Sequence, residues 1–188
     1  MPPVTARLIR TARLDLRPLR VADATEMTGV LADPALYAFT GGAPPTTAEL
    51  RSQYQRWRTG APDPGVSWCN WVIEVRAGQQ LAGPVLAGPV LAGPVLAGTV
   101  QATITGPAGA RAAEIAWVVG VAWQRRGIGR EAAQGLVGWL RQLPVRTICA
   151  YIHPDHHASA GVARAAGLAP GHRRRDGETG WQLEISGP

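Results

Sequence analysis

Lysine is absent from this chain of 188 residues, cysteine occurs only twice, and no hydrophobic run approaches the ~18 residues that a membrane-spanning helix needs. Cys69 and Cys149 are far apart and form no CxxC pair, which excludes a disulfide scaffold and a thiolate zinc site. The initial segment MPPVTARLIR lacks the hydrophobic core of a secretory signal. We therefore expect a cytoplasmic protein that does not enter a membrane.

The composition provides enough apolar material for a folded core. Hydrophobic residues make up 46% of the chain and charged residues 17%, which argues against wholesale disorder. At ~100–200 residues per domain, the length predicts a single domain over residues 1–188. The net charge is +6 and all nineteen cations are arginines. A basic surface can attract nucleic acid, an anionic membrane or a phosphorylated cofactor, so composition alone leaves these partners open.

Periodicity predicts alternating strands and helices. Segments with the two-residue period of strands, or with continuous apolar and β-branched runs, are Thr11–Leu19, Trp68–Val75, Leu96–Ile104, Ala113–Val119, Val145–Ile152 and Gly180–Ile185. Helical spacing, caps and terminators predict helices over Ala22–Leu31, Thr46–Arg58, Gly127–Leu143 and His157–Ala166. The polar stretch 173–180, with three arginines, is typical of a solvated hairpin turn. A β-α-β unit near the C-terminus indicates an α/β or α+β domain.

A pentapeptide repeat precedes one of the predicted strands. LAGPV occurs three times in succession over Leu81–Val95, and a fourth, altered copy begins the strand Leu96–Ile104. A period of five keeps no constant apolar face on a strand or a helix, and each proline removes a backbone donor. We interpret residues 81–95 as duplicated copies inserted in a hairpin loop. The alternative is an exposed apolar arm that contacts a second subunit, which leaves a homodimer open.

Residues 123–130, WQRRGIGR, carry the most informative motif. They lie between a predicted buried strand and a predicted helix, so the free N–H groups and partial positive charge of the helix start would face a ligand. Two glycines allow close backbone approach, and arginines surround them. This pattern is suited to a pyrophosphate, although glycines of this kind also serve ordinary tight turns. The motif is neither a Walker loop nor a GxGxxG dinucleotide turn.

The wider context resembles the GNAT superfamily of N-acetyltransferases. AEIAWVVGVAWQRRGIGREA and, further on, HPDHHASAGVARAAGL are similar to that family, whose acetyl-CoA signature Q/R-x-x-G-x-G/A matches residues 124–129. ARLDLRPLRVADATEM and DPALYAFTGGAPPTTAEL resemble the branch that contains the ribosomal-protein alanine acetyltransferases. The resemblance implies a central, mixed, splayed β-sheet flanked by helices. It also implies acetyl transfer from acetyl-CoA to a primary amine, on a protein N-terminus or a small molecule, without a metal.

The same resemblance assigns residues to the cofactor. Main-chain groups of the strand before the loop would bond the pantetheine arm, and the loop with the helix start would hold the pyrophosphate. His156 stands where the family usually has a cofactor-contacting asparagine. The implied acetyl-CoA residues are Trp117, Val118, Val119, Gln124, Arg125, Arg126, Gly127, Ile128, Gly129, Arg130 and His156.

Two further residues are implied for catalysis. Glu114 stands where relatives carry the base that deprotonates the amine, with Glu74 and Asp15 as weaker substitutes; an exposed strand-end glutamate is its alternative interpretation. Many relatives place a general-acid tyrosine at the position of Ala163. Ser159 then becomes the candidate that protonates the CoA thiolate, although its hydroxyl can equally bond the backbone of a first helical turn.

Three other interpretations stay open at this level. The chain can be a non-catalytic acyl-CoA-binding module that keeps the cradle without the chemistry, or an RNA-binding protein driven by its arginines. His153, Asp155, His156 and His157 invite a metal site, but they straddle a strand end and a helix start and suit capping better. Nucleic acid is not the partner that the motifs favour.

Overall fold

The computed structural model describes residues 3–78, 93–107 and 109–185. The amino-terminal half contains strands β1 (Ile9–Arg10) and β2 (Leu14–Pro18), helices α1 (Ala24–Val30) and α2 (Thr47–Thr59), and strands β3 (Ser67–Val75) and β4 (Val95–Thr105). The carboxy-terminal half contains β5 (Arg111–Val119), α3 (Ile128–Leu140), β6 (Val145–Ile152), α4 (His157–Ala165), β7 (Ala169–Arg175) and β8 (Glu178–Glu184).

All eight strands form one mixed sheet in the order β1-β2-β3-β4-β5-β6-β8-β7. Neighbouring strands are antiparallel except β5 and β6, which are parallel because α3 connects them as a crossover. Their pairing begins at Arg111 and Val145 and stops at Glu114 and Cys149. Both strands continue beyond that point, β5 to Val119 and β6 to Ile152, so they diverge and leave a gap in the middle of the sheet.

The two faces of the sheet carry different helices. The main core lies beneath α3, where Ile128, Leu136 and Leu140 pack on apolar residues of β2 to β6. A smaller core on the other face contains Met27 of α1 and Leu50 of α2. Alternation along β5 therefore directs Ile115 to the α3 face and its neighbours Glu114 and Ala116 to the α1–α2 face.

Most predicted elements are confirmed within a few residues, and β6 has the predicted bounds. The helix predicted to reach Leu143 ends at Leu140, where the chain turns through i→i−3 bonds that include Leu143 N–H to the carbonyl of Leu140. The two-residue strand β1 was not predicted, because it is too short to show a period. Of the repeat segment 81–95, residues 81–92 lie outside the described residues.

The prediction for the arginine run was wrong. Arg173, Arg174 and Arg175 belong to strand β7, and the turn itself consists of Asp176 and Gly177. Both turn residues have positive φ, 50° and 83°, as a tight two-residue hairpin requires. The turn is thus much shorter than its polar composition indicates, and the arginines become part of the sheet.

The predicted start of α2 is confirmed in detail. The Thr46 hydroxyl accepts from the Glu49 backbone N–H at 3.2 Å, and the Glu49 carboxylate accepts from the Thr46 N–H at 2.8 Å. This capping box satisfies two backbone donors that a helix start leaves free. Gly60 ends the helix with a φ of 96°. The cap orients α2 so that Leu50 and Tyr54 pack onto the sheet.

One buried hydroxyl makes a stability prediction possible. Tyr54 is 1% exposed, and its hydroxyl has no hydrogen-bond partner in the described part of the chain; burial raises the pKa of Tyr54. Because an unsatisfied buried hydroxyl costs about 1–3 kcal/mol, Tyr54→Phe is expected to raise the free energy of unfolding by about 1 kcal/mol in urea denaturation. Tyr37→Phe is the control: its hydroxyl donates to the Leu31 carbonyl at 3.0 Å, so its removal is expected to destabilise. A loss in both variants contradicts the prediction.

Candidate active site

A cavity of about 1170 Å³ opens where β5 and β6 diverge. One wall comes from the end of β5, the following loop and the start of α3, and another from the end of β6 and the start of α4. The remaining wall comes from the α1–α2 connection, α2 and β4. Single small-molecule sites measure roughly 300–1,000 Å³. The cavity is therefore large enough for two substrates side by side.

Strand β5 presents a free edge to this cavity. β4 pairs with β5 as far as Val119, whereas no described strand pairs with the other edge beyond Glu114. Trp117, Val118 and Val119 line the cavity there, and backbone groups on an unpaired edge can bond an extended ligand as a strand would. A Cβ at Gly98 would lie 2.0 Å from the Val118 carbonyl oxygen. Glycine at that position therefore lets β4 approach β5 closely.

The loop after β5 has the backbone of an anion cradle. Arg125 and Gly127 have φ values of 60° and 77°, in the left-handed region where successive N–H groups turn toward a common point. Gly127 is the N-cap of α3, so the free N–H groups of the helix start face the same side. Of the implied cofactor residues, Arg126 alone is absent from the cavity lining, whose loop and helix members are Gln124, Arg125, Gly127, Ile128, Gly129 and Arg130.

A side-chain network fixes this loop to the rest of the sheet. Glu131, in the first turn of α3, accepts from the Arg13 backbone N–H at 2.6 Å and from the Arg13 guanidinium at 2.7 Å. The Thr11 hydroxyl donates to the same carboxylate at 2.6 Å, and Arg13 also donates to the Arg126 carbonyl at 3.0 Å. Burial acts to raise the pKa of Glu131, but these hydrogen bonds and the Arg13 charge outweigh it and lower that pKa. The cradle is thus anchored from the connection between β1 and β2.

This network predicts a pH-dependent stability. Because the folded-state pKa of Glu131 is lowered, its contribution is fully present above the ordinary value of 4.5 and is lost as the pH falls through the folded-state pKa. Glu131→Gln is expected to reduce the free energy of unfolding at pH 7 by about 2 kcal/mol. In urea denaturation this deficit should shrink below pH 4.5. Asp176→Asn, at an exposed turn outside this network, is the control variant measured alongside. A deficit of Glu131→Gln that is independent of pH contradicts the assignment.

The opposite wall carries His156 and Ser159 at the start of α4. Both line the cavity, and His156 stacks on Phe39 with ring centroids 4.4 Å apart. Burial, and then the neighbouring His153, lowers the pKa of His156, so its imidazole is neutral at pH 7. Ser159 is half-buried in the first turn of α4. Ala163 is fully buried and belongs to the main core, away from the lining.

Glu114 lies at the apex of the gap but does not line the cavity. Both of its carboxylate oxygens are held by the Arg175 guanidinium, at 2.6 and 2.8 Å. The same guanidinium lies 3.8 Å from the ring centroid of Tyr151. Hydrogen bonding to Glu114 raises the pKa of Arg175. The hairpin of β7 and β8 therefore reaches across the sheet and closes the narrow end of the gap.

The wall away from the cradle is largely aromatic. Tyr37, Phe39, Tyr54 and Trp57 line it, together with Gln53, Thr99, Gln101 and Glu178. Trp57 stacks on Tyr54 with ring centroids 5.6 Å apart. Apolar walls with a few polar groups are typical of small-molecule sites. We call this half of the cavity the acceptor half.

Across residues 3–78, 93–107 and 109–185, no three His, Cys, Asp or Glu side chains gather as metal ligands would. The histidines near the start of α4 include His153, which pairs with Asp155 at 4.0 Å. In the same described ranges no helix has the length and apolarity to cross a membrane.

Comparison with known families agrees with this geometry. A sequence profile described as "Acetyltransferase (GNAT) domain" matches residues 13–169, which is most of the chain. The chain belongs to the GNAT acetyltransferase family. Its splayed mixed sheet confirms the expected fold class, and the family makes it an acyltransferase. No curated protein matches this acetyltransferase in sequence.

Solved structures show the same fold as this GNAT acetyltransferase. The ribosomal L7/L12 alpha-N-protein acetyltransferase RimL, in complex with coenzyme A, is 16% identical, with a TM-score of 0.68 and coverage of 95% of this chain and 98% of that one. The microcin C7 self-immunity acetyltransferase MccE, in complex with acetyl-CoA and AMP, is 13% identical, with a TM-score of 0.69 and 93% of each chain covered. An acetyltransferase from Agrobacterium tumefaciens is 24% identical, with a TM-score of 0.62 and 96% of each chain covered.

Sequence reasoning missed several residues that shape this site. Phe39, which stacks on His156, lies in a connection without periodicity. Arg13 and Arg175 bind carboxylates that are 118 and 61 residues away in the chain, and only the fold brings such partners together. One signal was available: the polar stretch 173–180 contains two carboxylates among three arginines, which is typical of an ion-paired strand end as well as of a solvated turn.

Proposed function

We propose that this GNAT enzyme transfers the acetyl group of acetyl-CoA to a primary amine by direct attack within a ternary complex. One observation supports this most strongly: the gap between β5 and β6 leads from an unpaired strand edge to a loop of left-handed backbone at a helix start. The strand edge suits the amides of a pantetheine arm, and the helix start suits a pyrophosphate. The reaction would take place in the cytoplasm, where the free thiols of Cys69 and Cys149 stay reduced.

The residues present fit acetyl-CoA as a substrate. Backbone N–H groups from Arg126 to Arg130, of which all but Arg126 belong to residues that line the cavity, would hold the pyrophosphate, with the side chains of Arg125 and Arg130 adding positive charge. Main-chain groups of Trp117, Val118 and Val119 would bond the pantetheine arm, and one of their N–H groups would polarise the thioester carbonyl. His156 contributes one neutral imidazole in place of an amide.

The acceptor must be a free amine when it reacts, because its lone pair attacks the thioester carbon. A bond forms from nitrogen to the acetyl carbon, the carbon–sulfur bond breaks, and the electron pair leaves on sulfur. We assign Glu114 the proton that nitrogen loses, through a water since its carboxylate lies outside the cavity lining. Ser159, on the opposite wall, would supply a proton to the departing thiolate and recover it from solvent.

The proposal is tested by calorimetry with acetyl-CoA and by thiol release over a panel of primary amines that includes peptides with free N-termini. Saturable acetyl-CoA binding, together with thiol release that depends on the amine, is the expected result. The mass of the product distinguishes N-acetylation from simple hydrolysis of the thioester. Absence of acetyl-CoA binding contradicts the whole proposal.

A second candidate is a non-catalytic acyl-CoA-binding module. The ion pair that occupies both oxygens of Glu114 favours it, as does the buried alanine at position 163, where the family resemblance implies a tyrosine. This candidate predicts acetyl-CoA binding in calorimetry but no thiol release with any amine. The same two measurements therefore separate the candidates.

A further inference from the structure

The acceptor half of the cavity contains one carboxylate that makes no salt bridge within the described residues. Of the carboxylates in the described residues, only Asp155 and Glu178 line the cavity. Asp155 belongs to the turn before α4 and its side chain is 80% exposed. Glu178 is half-buried at the start of β8. Within the described part of the chain Glu178 makes no salt bridge, whereas Asp15, Asp23, Glu74, Glu114 and Glu131 each pair with an arginine. Asp155 has only His153 nearby, at 4.0 Å.

The fold explains why Glu178 is left unpaired. Arg175 is its direct cross-strand neighbour in the β7–β8 hairpin, the position from which opposite charges normally pair. The guanidinium instead reaches Glu114 at 2.6 Å and covers the ring of Tyr151. Glu114 thereby takes the two direct hydrogen bonds of Arg175. The charge of Glu178 still acts on Arg175 at longer range, but its carboxylate, at the cavity, makes no salt bridge within the described residues.

The surroundings of Glu178 define what it can bind. A primary aliphatic amine has a pKa near ~10 and therefore arrives at pH 7 as an ammonium ion. Among the residues that define the acceptor half, Glu178 is the only one with a charged side chain, and four others are the aromatic residues Tyr37, Phe39, Tyr54 and Trp57. Aromatic faces attract cations and also bury apolar groups. The half-cavity thus combines a single negative charge with an apolar wall.

We propose that Glu178 binds the ammonium group of the acceptor, and that the acceptor is a primary amine with a single positive charge and an apolar or aromatic body. This inference rests on the proposed function. A small arylalkylamine and a peptide whose first residue is apolar share this chemistry. Glu178 is then a specificity residue, and it is distinct from the proton acceptor Glu114. A second cation on the acceptor would find no partner in this wall.

The test compares Glu178→Gln with Glu184→Gln. Glu184 lies on the same strand, an even number of residues from Glu178 and so on the same face of the sheet, but it is exposed and outside the cavity. Calorimetry measures the binding of phenethylamine, and separately of a peptide beginning with phenylalanine, to each protein both without CoA and with saturating CoA. Thiol release gives KM and kcat for the same two acceptors. Comparing these constants between phenethylamine and the peptide shows whether the acceptor is a small molecule or a peptide.

Glu178→Gln is expected to weaken amine binding and raise KM about tenfold or more, since a charge-assisted contact is lost, with kcat within about twofold. The acetyl-CoA affinity should stay unchanged, as should every value for Glu184→Gln. An arylamine that is uncharged at pH 7 should bind both variants equally. If the KM and the amine affinity of Glu178→Gln are within about twofold of those of the parent protein, the proposal is overturned. Failure of the parent protein to bind any amine also overturns it.

Three other outcomes distinguish a failure of the Glu178 proposal from a failure of the proposed function. A fall in kcat for Glu178→Gln that recovers at alkaline pH would make Glu178 the proton acceptor and overturn the binding role. Normal amine binding without thiol release in the parent protein would contradict the proposed function while leaving the role of Glu178 supported. Loss of acetyl-CoA binding in the parent protein would contradict the proposed function alone, because amine binding is measured separately.

Discussion

Gly127→Glu is expected to abolish acetyl-CoA binding, with an affinity at least about a hundredfold lower. Gly127 has a φ of 77°, which a residue with a side chain adopts at a cost of roughly 1–2 kcal/mol. A Cβ there would lie 3.1 Å from the Arg13 guanidinium. The added side chain would start toward the Arg13 guanidinium that fixes the loop and would disturb this anchor. Its negative charge at the N-terminus of α3 would also repel the phosphate proposed to bind there. Calorimetry with acetyl-CoA measures the loss.

The control for this variant is the same substitution elsewhere on α3. A Cβ at Gly138 meets no atom within 4 Å, and the residue is exposed, so Gly138→Glu adds the same charge without touching the cradle. We expect it to bind acetyl-CoA normally. Gly127→Ala, which adds strain without charge, should bind with intermediate affinity. Micromolar binding by Gly127→Glu, with the fold intact in circular dichroism, would remove the cradle from the site.

Glu114→Gln is expected to lower turnover at neutral pH about a hundredfold, as removal of a general base typically does. At pH 7 most of the acceptor is protonated and its proton must be taken up; at alkaline pH free amine is abundant and the deficit should narrow. Thiol release measured from neutral to alkaline pH gives this profile. Acetyl-CoA affinity should not change, because Glu114 lies outside the cavity lining.

Arg175→Gln separates a role in proton transfer from a role in the ion pair. Glu114→Gln and Arg175→Gln both lose the charged contacts of 2.6 and 2.8 Å between Glu114 and Arg175. If the pair were only structural, the two variants would lose the same activity and the same stability. We expect Arg175→Gln to keep most of its turnover at pH 7, because the carboxylate remains. A rate for Glu114→Gln that is independent of pH and equal to that of the parent protein would exclude Glu114 from the mechanism.

Local signals were sufficient for most of the fold. The alternation of β2 and β8, the apolar runs of β5 and β6, and the capping box of Thr46 and Glu49 each depend on residues close together in the chain. Such signals failed where the fold overrides them. The arginines of β7 have the composition of a turn, and they are held in a strand by pairing with β8. Strand β1 exists because β2 offers an edge at Leu16 and Asp15.

The same contrast applies to the site: the part built from residues close together in the chain could be predicted from sequence, and the part built from distant residues could not. The cradle over residues 124–130 could be located from sequence because its donors are consecutive backbone N–H groups at one helix start. The acceptor half could not, since its groups come from α2, β4 and the β7–β8 hairpin, which are far apart in the chain. Whether Glu114 or Glu178 meets the cavity depends on where one guanidinium, that of Arg175, reaches across the folded sheet. Short-range signals therefore located the loop proposed to bind phosphate, and long-range packing decided which carboxylate lies at the cavity without a salt bridge.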